Sequence, residues 1–525
     1  MIGNRRTRFM LVIAATLGLA ASAWAEAIFP VNERGTGSWV FDQPSVVANG
    51  SVVHVAFVGN NATDAGDPSL NTRVYYAAVN GSANFTSVAT TRSQVLVTAP
   101  VAIDNVLFNN ARHPQIALRT SNELAILFQA IPVGDVNYKL FLAKVTIDNN
   151  TVISQRVDEI RDAAGARIPG KLTDPSFGLV PNGATMVMAF SSSPSLVSAP
   201  PYSDVYYARV GLDNAQVVIT TILLTKTATS TGVSALPRIL IDRNNYSHIV
   251  WAANSPIPGD STQTTPTGVY YALVYPVPPS VTDKIAIGET QVLSGGYRWG
   301  FPNVLLSSTG NIWILAADEP FGSTGMAGSV GTVEINPFVV TPDGNPVNVN
   351  NVGANTSFFP NPPGESVLPS TFDAYHPEAV VDAQNRLNVA GYGFLQTDGH
   401  GTPGRYYVTA LGSSTGLSAS PLAVGNGDVA FAAQLPGDYT RPAFVPFGGV
   451  SVQFWSGADN VVTGARNLYV TSTFGALTPT TQSGCSMVDD PRGGEAGRIP
   501  GAAALLLPAA LLALRRAARK AFGRP

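Results

Sequence analysis

Residues 237–253 read PRILIDRNNYSHIVWAA. A proline opens an apolar run ending at Ile241, the polar quartet Asp242 to Asn245 reverses the chain, and a second apolar run ends at Trp251-Ala252-Ala253. Two apolar runs of strand length around a tight polar turn predict a β-hairpin. Proline has no N–H to give to a ladder, so it belongs at a strand start or an unpaired edge.

The same pattern recurs from Pro44, Pro114 (PQIALRTSNELAILFQA), Pro175 (PSFGLVPNGATMVMAFS), Pro302 (PNVLLSSTGNIWILAA), Pro377 (PEAVVDAQNRLNVAGYG) and Pro442 (PAFVPFGGVSVQFWSG). A third strand follows each hairpin: VYYAAV from Val74, LFLAKV from Leu140, VYYARV from Val205, VYYALV from Val269, TVEINPF from Thr332, RYYVTA from Arg405 and NLYVTS from Asn467. A fourth apolar stretch comes next in several copies, as QVLVT from Gln94, TILLTK from Thr221 and TQVLS from Thr290. Seven such units of four strands predict an all-β fold, a seven-bladed β-propeller spanning residues 26–477. A β-solenoid would have shorter coils, and tandem sandwiches would show linkers. The last unit has no clear fourth strand, whereas Ala27 to Val31 precedes the first unit. That N-terminal segment is expected to complete the last blade and close the ring.

Composition agrees. Only 12% of the 525 residues are charged, which argues against coiled coils and charged disorder, and a single Cys excludes a disulfide framework. Residues 1–25 carry Arg5, Arg6 and Arg8, then an apolar stretch from Phe9 to Ala21, then Ala23-Trp24-Ala25, the anatomy of a cleaved signal peptide; an uncleaved anchor is the alternative. At the other end, residues 478–498 form a linker containing Gly484-Cys485-Ser486. Residues 499–525 are an expected hydrophobic helix, Ile499 to Leu514, followed by five basic residues. Sixteen uncharged residues interrupted by Pro500 and Pro508 barely cross a bilayer core, and the basic tail would stay cytoplasmic. Three bases in 1–25 and five in 515–525 leave 23 bases against 34 acids between them, a net charge of −11. An acidic body argues against nucleic acid as a partner.

Two sets of long loops are expected on one face, after the second strand of each unit and before each proline, and ligand sites gather where varied loops sit on a rigid scaffold. The residue before each proline enters that face near the axis: Gln43, His113, Asp174, Leu236, Phe301, His376 and Arg441. From these and their neighbours His113, His376, Arg441, Tyr375 and Tyr439 are the candidate ligand-binding residues, since imidazole, guanidinium and aromatic groups together suit an anionic or sugar ligand. The competing reading is that His113 and His376 only close loop hydrogen bonds. No catalytic residue is assigned: there is no Walker loop, no HExxH and no GxSxG. No cofactor is expected. The Asp-rich loops from Asn60 to Asp67 and around Asp398 offer oxygens of the kind Ca²⁺ takes, but without the spacing of a defined site, and solvated turns account for them as well.

The C-terminal Gly-Cys-Ser, spacer, apolar stretch and basic tail resemble the bacterial tripartite sorting tags, most closely the Cys-containing MYXO-CTERM and JDVT-CTERM types. That resemblance implies export, processing at Cys485 by a membrane sorting peptidase, and a place at the cell surface or outer membrane; a plain membrane anchor is the alternative. The body resembles sialidase-like, BNR-type bacterial propellers. The carriers are the proline-led strands, the Asp-x-x-Asn turns at Asp242 to Asn245 and Asp382 to Asn385, Val250-Trp251 and the VYYA strands. Phe41-Asp42-Gln43-Pro44 stands where sialidases have Phe-Arg-Ile-Pro, so no catalytic residue of that family is carried over. The functional expectation is an exported, surface-anchored binding or scaffold module for carbohydrate or a surface protein. The alternative is a carbohydrate-active enzyme, glycosidase or polysaccharide lyase, on the long-loop face.

Overall fold

The computed structural model describes the strands and short connections between residues 29 and 477; residues 1–28, 478–525 and connections such as 61–71, 194–202, 254–267, 358–371 and 422–442 lie outside it. The chain divides into units 1–488 and 489–525, the second without a described residue. The expected signal peptide, sorting motif and C-terminal helix all lie outside the described residues. No described helix is long and apolar enough to cross a membrane.

The described strands assemble into seven antiparallel sheets, each led by a proline-containing strand. In chain order these first strands are Phe41–Asn49, Phe108–Thr120, Lys171–Leu179, Ser234–Ile241, Trp299–Leu306, Phe372–Val381 and Ala443–Phe447. They define sheets one to seven. The first strands of successive sheets pack on one another, and sheet seven packs back on sheet one, so they line the axis of a β-propeller.

A sheet in such a ring is covered on both faces by its neighbours, which is why its strands read as nearly unbroken apolar runs. Ser247–Ala253 is buried at every position. The cores lie between sheets: Val47, Tyr76, Ile126 and Phe128 fill the space between sheets one and two, and Trp251, Tyr207 and Ile249 that between three and four. Each turn has its own chemistry. Asp242 Oδ1 accepts N–H bonds from Asn244 (2.8 Å) and Tyr246 (2.9 Å), while Asn245 takes a left-handed φ of 64°, which explains the Asp-x-x-Asn signature.

At the seam, Phe29–Pro30 pairs with Val470 and Tyr469 on the third strand of sheet seven, and Val31 N–H reaches Leu468 O at 2.7 Å. Val31 is fully buried with Phe41, Leu468 and Val470. Val31→Ala is therefore expected to lower stability by about 2 kcal/mol, seen as a lower urea midpoint with an unchanged m-value.

Two expectations for the outer strands are corrected. Sheets three and five each hold five strands, because the outer position is split: Gln216–Val217 and Ile222–Leu223 both pair with Asp204–Gly211. Gln94 to Thr98 is not the outer strand of sheet one. Arg92–Val95 is a helical turn, Val97 and Thr98 satisfy the backbone of Ala78, and the outer strand is Val101–Ala102.

Candidate functional site at the axial mouth

The proline-led strands carry a repeated local distortion. Gln43, His113, Asp174, Leu236 and Phe301, each just before its proline, have φ between 49° and 55°. The ladder to the second strand slips there, between Asp42 and Ser45, Arg112 and Gln115, Thr173 and Ser176, Ala235 and Arg238, and Gly300 and Asn303. A proline disfavours the helical regions for the residue before it, and a left-handed side-chain-bearing residue costs about 1–3 kcal/mol, so the surrounding ring must hold these bulges in place. Proline at the bulge leaves no N–H needing a partner near the axis.

The displaced backbone is satisfied from the neighbouring sheet. His113 N–H donates to Gln43 Oε1 at 2.7 Å, and Asp174 N–H to Gln129 Oε1 at 2.6 Å. Ile116 N–H donates to Ser45 Oγ at 3.1 Å and Ile239 N–H to Ser176 Oγ at 3.2 Å.

Together the bulges of sheets one to four shape a recess open to solvent. Its wall is made of the pre-proline residues Gln43, His113, Asp174 and Leu236, their prolines, and Gln115 and Arg238. His113 Nδ1 lies 3.1 Å from Asp174 Oδ1, with both side chains about one-tenth exposed. Arg238, on sheet four, donates from Nη1 to Gln115 Oε1 of sheet two at 2.7 Å, and its Nη2 lies 3.8 Å from Glu378 Oε2 of sheet six. Asn303 of sheet five donates to the other Glu378 oxygen at 3.0 Å. One guanidinium thus spans the axis between three inner strands.

Of the residues singled out in the sequence, His113 is in the recess. His376 and Tyr375 lie on Phe372–Val381, where the ladder slips between Tyr375 and Glu378 as in the other inner strands. Arg441, Tyr439 and Cys485 lie outside the described residues, as do most of the Asp-rich loops. Of the five candidates, only His113 has a described side chain, and it lies in the recess. The structure adds Asp174, Gln43, Gln115 and Arg238. A signal for the last two was present: the residue after the proline is polar in six repeats, Ser45, Gln115, Ser176, Arg238, Asn303 and Glu378. Among the described residues, no group of three or more His, Cys, Asp or Glu is placed to hold a metal ion.

No protein-family model matches the chain. No curated protein matches it either. Among solved structures it is similar to an ulvan lyase, described as a new family of polysaccharide lyase and bound to a GlcA(1-4)Rha3S unit, at 10% identity and a TM-score of 0.47, covering 86% of this chain and 95% of that one. It is similar to the polysaccharide lyase Uly1 at 9% identity and a TM-score of 0.44, covering 82% and 89%. It is also similar to the Trypanosoma rangeli sialidase in complex with sialic acid, at 10% identity and a TM-score of 0.37, covering 85% and 56%. Likenesses this distant concern the fold alone.

Proposed function

We propose that the seven sheets are the seven blades of one closed ring, and that this ring is an exported binding module that takes a saccharide or other polar ligand at its axial mouth. The observation that carries this reading is the recess itself. Four neighbouring inner strands, held in a strained bulge, turn His113, Asp174, Gln43 and Arg238 into one concave, partly apolar site floored by prolines. On this reading His376, Tyr375, Arg441 and Tyr439 extend the site on sheets six and seven. Residues 1–25 direct export, and the C-terminal tag, through Cys485 and a membrane sorting peptidase, holds the protein at a bacterial cell surface.

A glycan-binding screen tests the site. The triple variant His113→Ala, His376→Ala, Arg441→Ala should lose at least tenfold in affinity for any ligand found; undiminished affinity in a folded variant places the site elsewhere. Cys485→Ala, followed by cell fractionation, should release or mislocalise the protein. Unchanged retention, with the tail still present in the mature chain, would favour a plain anchor.

One observation supports a catalytic reading of the same face. An imidazole oriented by a carboxylate, as His113 is by Asp174, is the arrangement of a general base. Release of new reducing ends or unsaturated products from polysaccharides, lost in His113→Ala, would decide for it.

A further inference from the structure

Beside the recess, on the rim between sheets two and three, lies a group that the repeat pattern does not mark. Arg112, on the inner strand of sheet two, donates from Nε to Asn110 Oδ1 at 2.8 Å, which fixes the plane of its guanidinium. Lys171, at the start of the inner strand of sheet three, holds its Nζ 5.8 Å from the centre of the Tyr138 ring. Tyr138 is itself pinned there, because its carbonyl accepts the N–H of Leu172 at 3.0 Å. All three side chains are half-buried. Among the described residues, most other arginines of sheets two to four sit in an ion pair, as Arg119, Arg156, Arg161, Arg167, Arg209 and Arg238 do. Neither Arg112 nor Lys171 has a described carboxylate within that reach.

We propose that Arg112, Tyr138 and Lys171 form an anion subsite that selects acidic saccharides, receiving a carboxylate or sulfate substituent while the sugar sits in the axial recess. The proposal rests on the axial binding reading. Asn110 occupies the Arg112 Nε, which leaves the terminal guanidinium nitrogens as donors. Burial raises the Tyr138 hydroxyl above its ordinary value, opposed by Arg112 and a hydrogen bond with Asn110 and reinforced by the Asp174 carboxylate, so the phenol remains a donor at neutral pH. Two cations with no carboxylate in ion-pair reach among the described residues are the local charge that an anion needs on a body of net charge −11. The adjacency is close enough for one ligand: Lys171 lies three residues before Asp174 on the same strand, and Arg112 precedes His113.

The test is affinity electrophoresis and calorimetry of the full mature protein against three polymers: neutral dextran, polygalacturonate and dextran sulfate. The expected result is preferred binding of one acidic polymer, with Arg112→Gln, Lys171→Gln losing at least tenfold on that polymer and keeping any affinity for dextran. Polygalacturonate alone identifies a carboxylate, and dextran sulfate alone a sulfate. Equal binding of neutral and acidic polymers overturns this inference and leaves the axial reading standing. Acidic binding that depends on Arg112 and Lys171 but is untouched by His113→Ala does the reverse. Acidic binding unaffected by the double variant, in a chain whose circular dichroism and Tm match the parent, overturns the subsite. Failure to bind any of the three overturns the anion subsite, while the axial reading stands or falls with the glycan-binding screen.

Discussion

Asp283→Ala is expected to lower stability by about 3–5 kcal/mol, read as a urea midpoint shift. Asp283 stands on the outer strand of sheet four and faces Arg209 on the third strand of sheet three. The pair is bidentate, Nε to Oδ2 and Nη2 to Oδ1, both at 3.0 Å, and Tyr207 Oη donates to Oδ2 at 2.6 Å. Side-chain exposure is 10% for Arg209 and 2% for Asp283, so water cannot replace the carboxylate when it is removed. The cost comes from a guanidinium left in a poorly solvated place, more than from the pair's own net value. The paired replacement Arg209→Met, Asp283→Leu should therefore recover most of the loss. If the single and double variants are equally unstable, the two sheets are held there by packing and not by the charge pair.

Mild acid should also weaken the fold. His54 is fully buried on the second strand of sheet one, with Nδ1 2.8 Å from Tyr76 Oη. Burial lowers its pKa from the ordinary 6.5 to about 4, while the unfolded chain keeps the ordinary value. Between those two pH values the unfolded state binds a proton that the native state does not. Stability is then highest above pH 6.5 and falls by about 1.4 kcal/mol per pH unit toward pH 4, about 3 kcal/mol in all. Urea midpoints across that range measure the slope. His54→Gln should flatten it by one proton, and an unaltered slope would mean that other groups carry the acid sensitivity.

Much of the strand framework could be read from the chain, because the physics that places a strand in a covered ring also writes its sequence. Ile249, Val250 and Trp251 are apolar in succession since both faces of their sheet are buried; Pro237, expected at the strand start, sits instead at the bulge inside Ser234–Ile241, where a backbone donor would have no partner. The Phe29–Pro30 pairing was legible by subtraction, from a last unit one strand short. Of the outer strands, those in TILLTK and TQVLS were legible, as Ile222–Leu223 and the end of Thr282–Ser294, but QVLVT was not, because Arg92–Val95 turns as a helix and only Val97 and Thr98 reach the Ala78 carbonyl. The site was only partly visible. His113 stood out as a rare residue in a repeated position, but a left-handed φ before proline runs against local preference and is imposed by the neighbours. Arg238 and Tyr138 gain their meaning from residues on other sheets, Gln115 and Glu378 for one and Arg112 and Lys171 for the other, and no spacing along the chain announces such meetings.

The guanidinium of Arg238, strung between Gln115 on sheet two and Glu378 on sheet six, acts as a staple: three separate stretches of chain share one side chain, so loosening any one of them loosens the other two.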